Sequence, residues 1–106
     1  MTDTELQTRT PKASPWLDLP VGQVLVTLEA IKALAVAGVS IDDVLAEHAK
    51  GYGGDFDFEE SFENYATAAD DGDNFSQHDL AEDVAIRVVT PWNRQATIVW
   101  LYTEAE

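Results

Sequence analysis

Hydrophobic positions along the chain follow a helical period first and a strand period last. Leu28, Ile31, Leu34 and Ala35 recur at i, i+3, i+6 and i+7, the spacing of one helical face. Thr27 before them fits an N-cap, and Gly38 after them fits a left-handed C-cap. Ahead of this helix, Val21–Val26 (VGQVLV) is a short β-prone run. A second helix opens at Ser40, with Asp43 in a role like that of a capping box. It carries Ile41, Val44, Leu45 and His48 on one face, and Gly51 is placed to stop it. A third helix is expected over Phe58–Ala69, capped by Asp55 or Asp57. There Phe58, Phe62, Tyr65, Ala66 and Ala69 make an apolar stripe expected to face inward, with Glu59, Glu60, Glu63 and Asn64 opposite. The polar stretch Asp70–Asn74 reads as a turn.

The last third changes period. Val84, Ile86 and Val88 alternate with Ala85, Arg87 and Val89, and Ile98, Trp100 and Tyr102 alternate with Thr97, Val99 and Leu101. Joined by Thr90–Gln95, these runs predict a hairpin, with Trp100 expected in the core by its alternation. Phe75–Leu80 adds a less regular strand. The fold class expected is therefore α+β, three short helices packed on a small antiparallel sheet that ends in a C-terminal β-hairpin. Residues 1–14, polar and rich in Thr, read as a disordered leader, and 15–106 as a single compact domain. No internal repeat is present.

Charge adds what patterning does not. Twenty acids against six Lys and Arg give a formal charge of −14. Phosphate recognition runs on Lys and Arg, so direct nucleic-acid binding is not expected, nor is binding to an anionic membrane. A basic protein or nucleoprotein complex is the electrostatically favoured partner. No apolar run approaches the roughly 20 residues of a membrane span, and no secretory h-region opens the chain. Together with the lack of cysteine, this predicts a cytoplasmic protein.

The acids are also segregated. Eleven fall between Asp55 and Asp83, a stretch without a single Lys or Arg. Glu59 and Glu63, one helical turn apart, stand about 6 Å from each other, close to the spacing of neighbouring phosphates on a strand. An ordinary solvated face and a surface shaped for negative potential both account for the run. For the second reading the partner-binding residues are Asp57, Glu59, Glu60, Glu63, Asp70, Asp71 and Asp73, whereas Trp92 is the aromatic anchor expected of a module that binds another protein without such a surface.

Catalytic chemistry has less to stand on. His48 falls in the last turn of its helix, where an imidazole suits the dipole, and the His expected four residues on is Tyr52. A His48–His78–carboxylate metal site is geometrically conceivable, and a core histidine is the simpler reading. Asp55-Phe-Asp-Phe-Glu59 begins like a calcium loop, but Glu60 and Ala66 stand where that loop requires Gly and Glu. Ser61 and Ser76 lie in no nucleophile elbow, although Ser76 and His78 would share a strand face. Gly51, Gly53 and Gly54 precede acids, with no following Lys, and so make no phosphate loop. No catalytic residue, metal ligand or cofactor is therefore assigned.

From Leu19-Pro-Val-Gly-Gln-Val-Leu-Val-Thr27 with Ala30, Leu34 and Ala37-Gly38-Val39, through Leu45-Ala-Glu-His48 with Gly51, Gly54 and Asp55, to Glu59, Glu60, Asn64 and the late hairpin before Thr103-Glu104, the chain resembles a bacterial family. These are small acidic proteins encoded on plasmids and integrated mobile elements. Tyr52 and Gly53 depart from that family's Asp and Trp, and Pro91-Trp92 replaces part of its acidic turn. The resemblance implies a mobile-element origin and carries no catalytic residues. Three functions follow as expectations: a DNA-mimic inhibitor of a host defence system, of anti-restriction or anti-CRISPR type; an accessory or regulatory protein–protein module; and a metal-dependent enzyme using His48 and His78.

Overall fold

The computed structural model describes residues 17–102; the predicted leader, 1–14, lies outside the described residues. In chain order the elements are β1 (Gln23–Val26), α1 (Leu28–Ala37), α2 (Ile41–His48), α3 (Phe58–Ala69), β2 (Asn74–Ala81), β3 (Val84–Thr90) and β4 (Ala96–Leu101). The strands form one sheet in the order β1-β4-β3-β2. The fold is α+β, and β4–β3–β2 is an antiparallel meander to which β1 adds in parallel. A parallel neighbour needs a long crossover, which here is the whole of α1, α2, α3, β2 and β3.

Local signals set the helix ends. Thr27 Oγ1 accepts from Ala30 N, Ser40 Oγ from Asp42 N, and Asp57 Oδ1 from Glu60 N, so each side chain satisfies an amide the helix leaves free. Gly38 closes α1 in the left-handed region at φ 70°.

Which faces are buried differs from expectation in two helices. In α1 the core takes Ala30 and Leu34, while Leu28 and Ile31 stay exposed. In α3 the departure is larger: Asn64 and Ala68 are buried, and Phe58 and Phe62 are 85% and 66% exposed. The helix is turned so that Asn64 can serve backbone groups that nothing else reaches. Its Oδ1 accepts from Phe75 N at 2.7 Å and its Nδ2 donates to Gly51 O at 2.8 Å. Each of those backbone groups would cost about 1–3 kcal/mol if it were buried without a partner.

The apolar core joins Ala30 and Leu34 of α1, Val44 of α2, and Ile86, Val88 and Val99 of the sheet. It fills only half of the inner sheet face. The other half is polar: Asn74, Ser76 and His78 of β2, Thr90 of β3 and Thr97 of β4 are all buried. On the opposite face, Leu25, Ile98, Val89 and Phe75 are registered side by side across the four strands. Trp100 belongs to this outer face, in register with Arg87, and not to the core. Strand alternation fixes which residues go together, and only packing chooses the face.

Candidate functional site: an acidic helix beside a buried histidine network

Two groups of residues carry the chemistry of this protein. The first is internal. His48, at the end of α2, is fully buried and places Nδ1 at 2.6 Å from Ser76 Oγ and Nε2 at 2.8 Å from Thr90 Oγ1. Ser76 Oγ also lies 2.8 Å from His78 Nε2, and Thr90 Oγ1 lies 2.5 Å from Thr97 Oγ1. Thr97 Oγ1 donates to the Val21 carbonyl at 2.6 Å.

That last bond orients the whole chain of hydroxyls and imidazoles. A carbonyl only accepts, so the Thr97 hydrogen is committed to it and Thr97 must accept from Thr90. Thr90 then accepts from His48 Nε2–H, which leaves His48 Nδ1 to accept from Ser76. Ser76 in turn accepts from His78 Nε2–H. One hydrogen per link makes His48 neutral with its proton on Nε2, so Asn74 Nδ2, 3.4 Å from that nitrogen, donates to His48 O instead. Burial pushes its pKa down to about 3, with the charges of His78 and Arg94 acting in the same direction. The pKa of His78 is lowered by burial, against the pull of Asp55, Glu47 and Asp79.

Sequence spacing already paired Ser76 with His78, but not with His48 across 28 residues. A serine hydroxyl on an imidazole nitrogen is the geometry of an activated nucleophile. Here Ser76 and His48 are both sealed from solvent, so no carbonyl substrate reaches the hydroxyl. The imidazole nitrogens, apart from the outer one of His78, are occupied by hydroxyls. Among the described residues no group of three metal-ligating side chains comes together. Asn74 extends the network, donating to His48 O at 2.9 Å and accepting from Asn64 Nδ2 at 2.9 Å.

The second group is the acidic surface. Glu59, Glu60 and Glu63 are exposed on α3, and Asp70 and Asp71 are exposed in the turn after it. No protein partner meets these five carboxylates among the described residues. Asp57 and Asp73 differ, because each has a structural role. Asp57 caps α3, and Asp73 Oδ1 accepts from Trp92 N at 2.8 Å, tying the α3–β2 turn to the β3–β4 loop. That bond brings exposed Trp92 beside the acids. Glu60, Glu63 and Asp73 border an open groove floored by Phe56 and Phe75.

The cations are used elsewhere. Lys32 pairs with Glu29 and Lys50 with Glu47. Arg87 lies 4.2 Å from the Tyr102 ring centre and 5.6 Å from that of Phe56. Arg94 donates to the carbonyl of Ala68 at the C-terminal end of α3 and to that of Thr90 at the end of β3. None of the four described cations neutralises an acid of the 55–83 run.

Comparison of the chain with protein-family models, with curated proteins and with solved structures finds no match. The site must be read from its own geometry.

What sequence reasoning missed is the second flank of α3. Helical rotation puts Glu60 and Glu63 toward the groove, Glu59 on the crest, and Phe58, Phe62 and Tyr65 on the far side. There they line a shallow apolar depression with Tyr52 and Ser61. The stripe was legible at i, i+4 and i+7, but its exposure was not.

Proposed function

We propose that this is a non-enzymatic acidic binding protein that occupies a nucleic-acid-binding surface of a basic partner, its carboxylates standing where phosphates would. The observation that carries this reading is the set of exposed carboxylates of Glu59, Glu60, Glu63, Asp70 and Asp71, which no cation among the described residues meets. Like charges at i,i+4 cost a few tenths of a kcal/mol when no Lys or Arg offsets them. A surface that keeps five uncompensated acids gives up stability for negative potential, and that potential steers a positively charged groove onto it. In its full form the proposal is a DNA-mimic inhibitor of a host nucleic-acid-handling defence system, of anti-restriction or anti-CRISPR type, carried by a mobile element.

The exposed flank of α3 favours a second reading, an accessory protein–protein module. Large aromatic side chains in shallow depressions are typical anchors of interfaces, and Phe58 and Phe62 are the most exposed pair of that kind on the helix. The metal-dependent enzyme built on His48 and His78 receives no such support, since both rings face hydroxyls inside the fold.

A pull-down from host lysate at low salt, with the captured protein then purified, separates the readings. For the mimic, affinity falls steeply between low and high salt, DNA competes, and the triple change Glu59→Gln, Glu60→Gln and Glu63→Gln abolishes binding. For the module, affinity is flat in salt and Phe62→Ala or Trp92→Ala removes it. Salt-independent binding that survives the triple change would sink the mimic.

A further inference from the structure

The two edges of the sheet are finished differently. On β2, the outward N–H groups of Phe75, Gln77 and Asp79 are all occupied. Phe75 N donates to Asn64 Oδ1, Gln77 N to Gly53 O and Asp79 N to Asp55 Oδ2, while Gln77 O accepts from Asp55 N. On β1, Gln23 N and Thr27 N donate to Gln95 O and Val99 O of the β4 side. In a parallel ladder this alternation turns the N–H and C=O of Val24 and Val26 away from β4. Among the described residues nothing pairs with that edge. The strand is short, but it reads Gln-Val-Leu-Val, without Lys, Pro or a bulge to blunt the edge.

We infer that β1 pairs antiparallel with β1 of a second copy of this chain, about a two-fold axis at Leu25. That register sets Val24 opposite Val26 of the other copy, and Val26 opposite Val24. Both are hydrogen-bonded positions, so the four open donors and four open acceptors of the two strands' Val24 and Val26 satisfy one another in four bonds. The two copies of Leu25 meet as a non-hydrogen-bonded pair, about 4.5 Å apart at Cα, with both side chains on the outer face. Leu25 is exposed in the single chain, as are Leu28 and Ile31 of α1. The sheet becomes eight-stranded and both open edges disappear.

Charge selects a second copy as the occupant over a basic partner. Residues 19–41 hold one acid, Glu29, and one base, Lys32, which pair with each other. Residues 42–102 hold fourteen acids against Lys50, Arg87 and Arg94. The strand is thus on the neutral side of a strongly polarised molecule, and β2, beside the acidic helix, is at the opposite edge. In the paired sheet the two β2 strands are seven strand spacings apart, roughly 34 Å. Screening falls off over about 8 Å at physiological ionic strength, so the acidic faces do not oppose the pairing. The inference is independent of what the acidic faces bind.

The test uses the full chain, which contains no cysteine. Leu25→Cys should give a disulfide-linked dimer under mild oxidation, because the Cα separation lies within the range a disulfide spans. Leu28→Cys, off the axis, should cross-link far more slowly. By sedimentation velocity the unaltered protein should be a concentration-dependent dimer. Val24→Pro removes an N–H that no described residue of the chain pairs with, and it should weaken the dimer about tenfold or more while the circular dichroism is unchanged. A protein that stays monomeric at every concentration, or a dimer indifferent to Val24→Pro, would overturn the proposal. So would a monomer that dimerises only once residues 1–16 are removed, since that segment would then be the occupant of that edge.

Discussion

Replacing Ser76 by alanine tests the internal network at its centre. The hydroxyl gives its hydrogen to His48 Nδ1 and accepts from His78 Nε2–H, at 2.6 and 2.8 Å. Removing it leaves a sealed acceptor on His48 and a largely buried donor on His78. Each orphaned group costs about 1–3 kcal/mol. His78 is 9% exposed and can turn part of its ring to water, whereas His48 at 0% cannot. The expected loss is therefore about 2–4 kcal/mol, a substantial part of the roughly 5–15 kcal/mol that holds a domain of this size together. At about 4–8 °C per kcal/mol, the melting temperature should fall by about 8–32 °C. Urea unfolding followed by tryptophan fluorescence gives the free energy directly. Ser61→Ala is the control, because its hydroxyl makes one part-buried bond, to Phe56 O at 3.2 Å, and should cost only about 0.5–1.5 kcal/mol. If Ser76→Ala costs no more than Ser61→Ala, the network does not hold the fold together. A second measurement is independent of stability: two-dimensional 15N spectra of the imidazoles should find His48 protonated on Nε2 alone at neutral pH. An Nδ1–H tautomer would reverse the hydrogen-bond direction and refute the assignment.

Other expectations follow from the same geometry. The folded pKa of His48, about 3, lies below the unfolded value of about 6.5, so the unfolded chain binds more protons in that window. Stability should be complete above pH 6.5 and decline as pH falls toward 3, by about 5 kcal/mol in full. Urea midpoints that stay flat or rise from pH 6.5 to 5 would contradict the burial of a neutral His48. Gly54→Ala should cost at least about 1–3 kcal/mol of left-handed strain, since φ is +65° and a Cβ would fall 2.4 Å from Gln77 O and 2.9 Å from His78 Cε1. Gly38→Ala, with φ +70° and open space around it, should cost only the backbone strain, about 1–2 kcal/mol, and thermal melts of the two variants would separate strain from clash. The double change Phe58→Ser and Phe62→Ser should alter stability by under about 0.5 kcal/mol, whereas Ala68→Leu on the same helix should cost about 1–3 kcal/mol by overpacking. Equal effects in chemical denaturation would mean that α3 packs by its aromatic stripe after all.

Segment boundaries in this protein are local matters, and the sequence by itself determined them. Thr27, Ser40 and Asp57 cap helices because a short oxygen-bearing side chain reaches its own first-turn amides wherever the chain is. Gly38 ends a helix for an equally local reason. Alternation in 84–90 and 96–101 paired the last strands, and a count of charges along the chain was enough to locate the acidic run.

The choice of face was made only by tertiary structure. The same periodicity that predicted α3 also predicted that Phe58 and Phe62 point inward, and it misled because it ranks side chains by hydrophobicity alone. The helix turned on Asn64, which satisfies backbone groups at Phe75 and Gly51 that make no demand until β2 and the glycine loop are in place. Likewise His48, Ser76, His78, Thr90 and Thr97 are five ordinary polar residues spread over 50 positions, and nothing in their spacing announces a chain of hydrogen bonds. A buried polar group is stable only when its partners arrive from other elements. That requirement is long-range, so sequence could name the acids of the candidate site and only the fold could reveal the histidine network beside them.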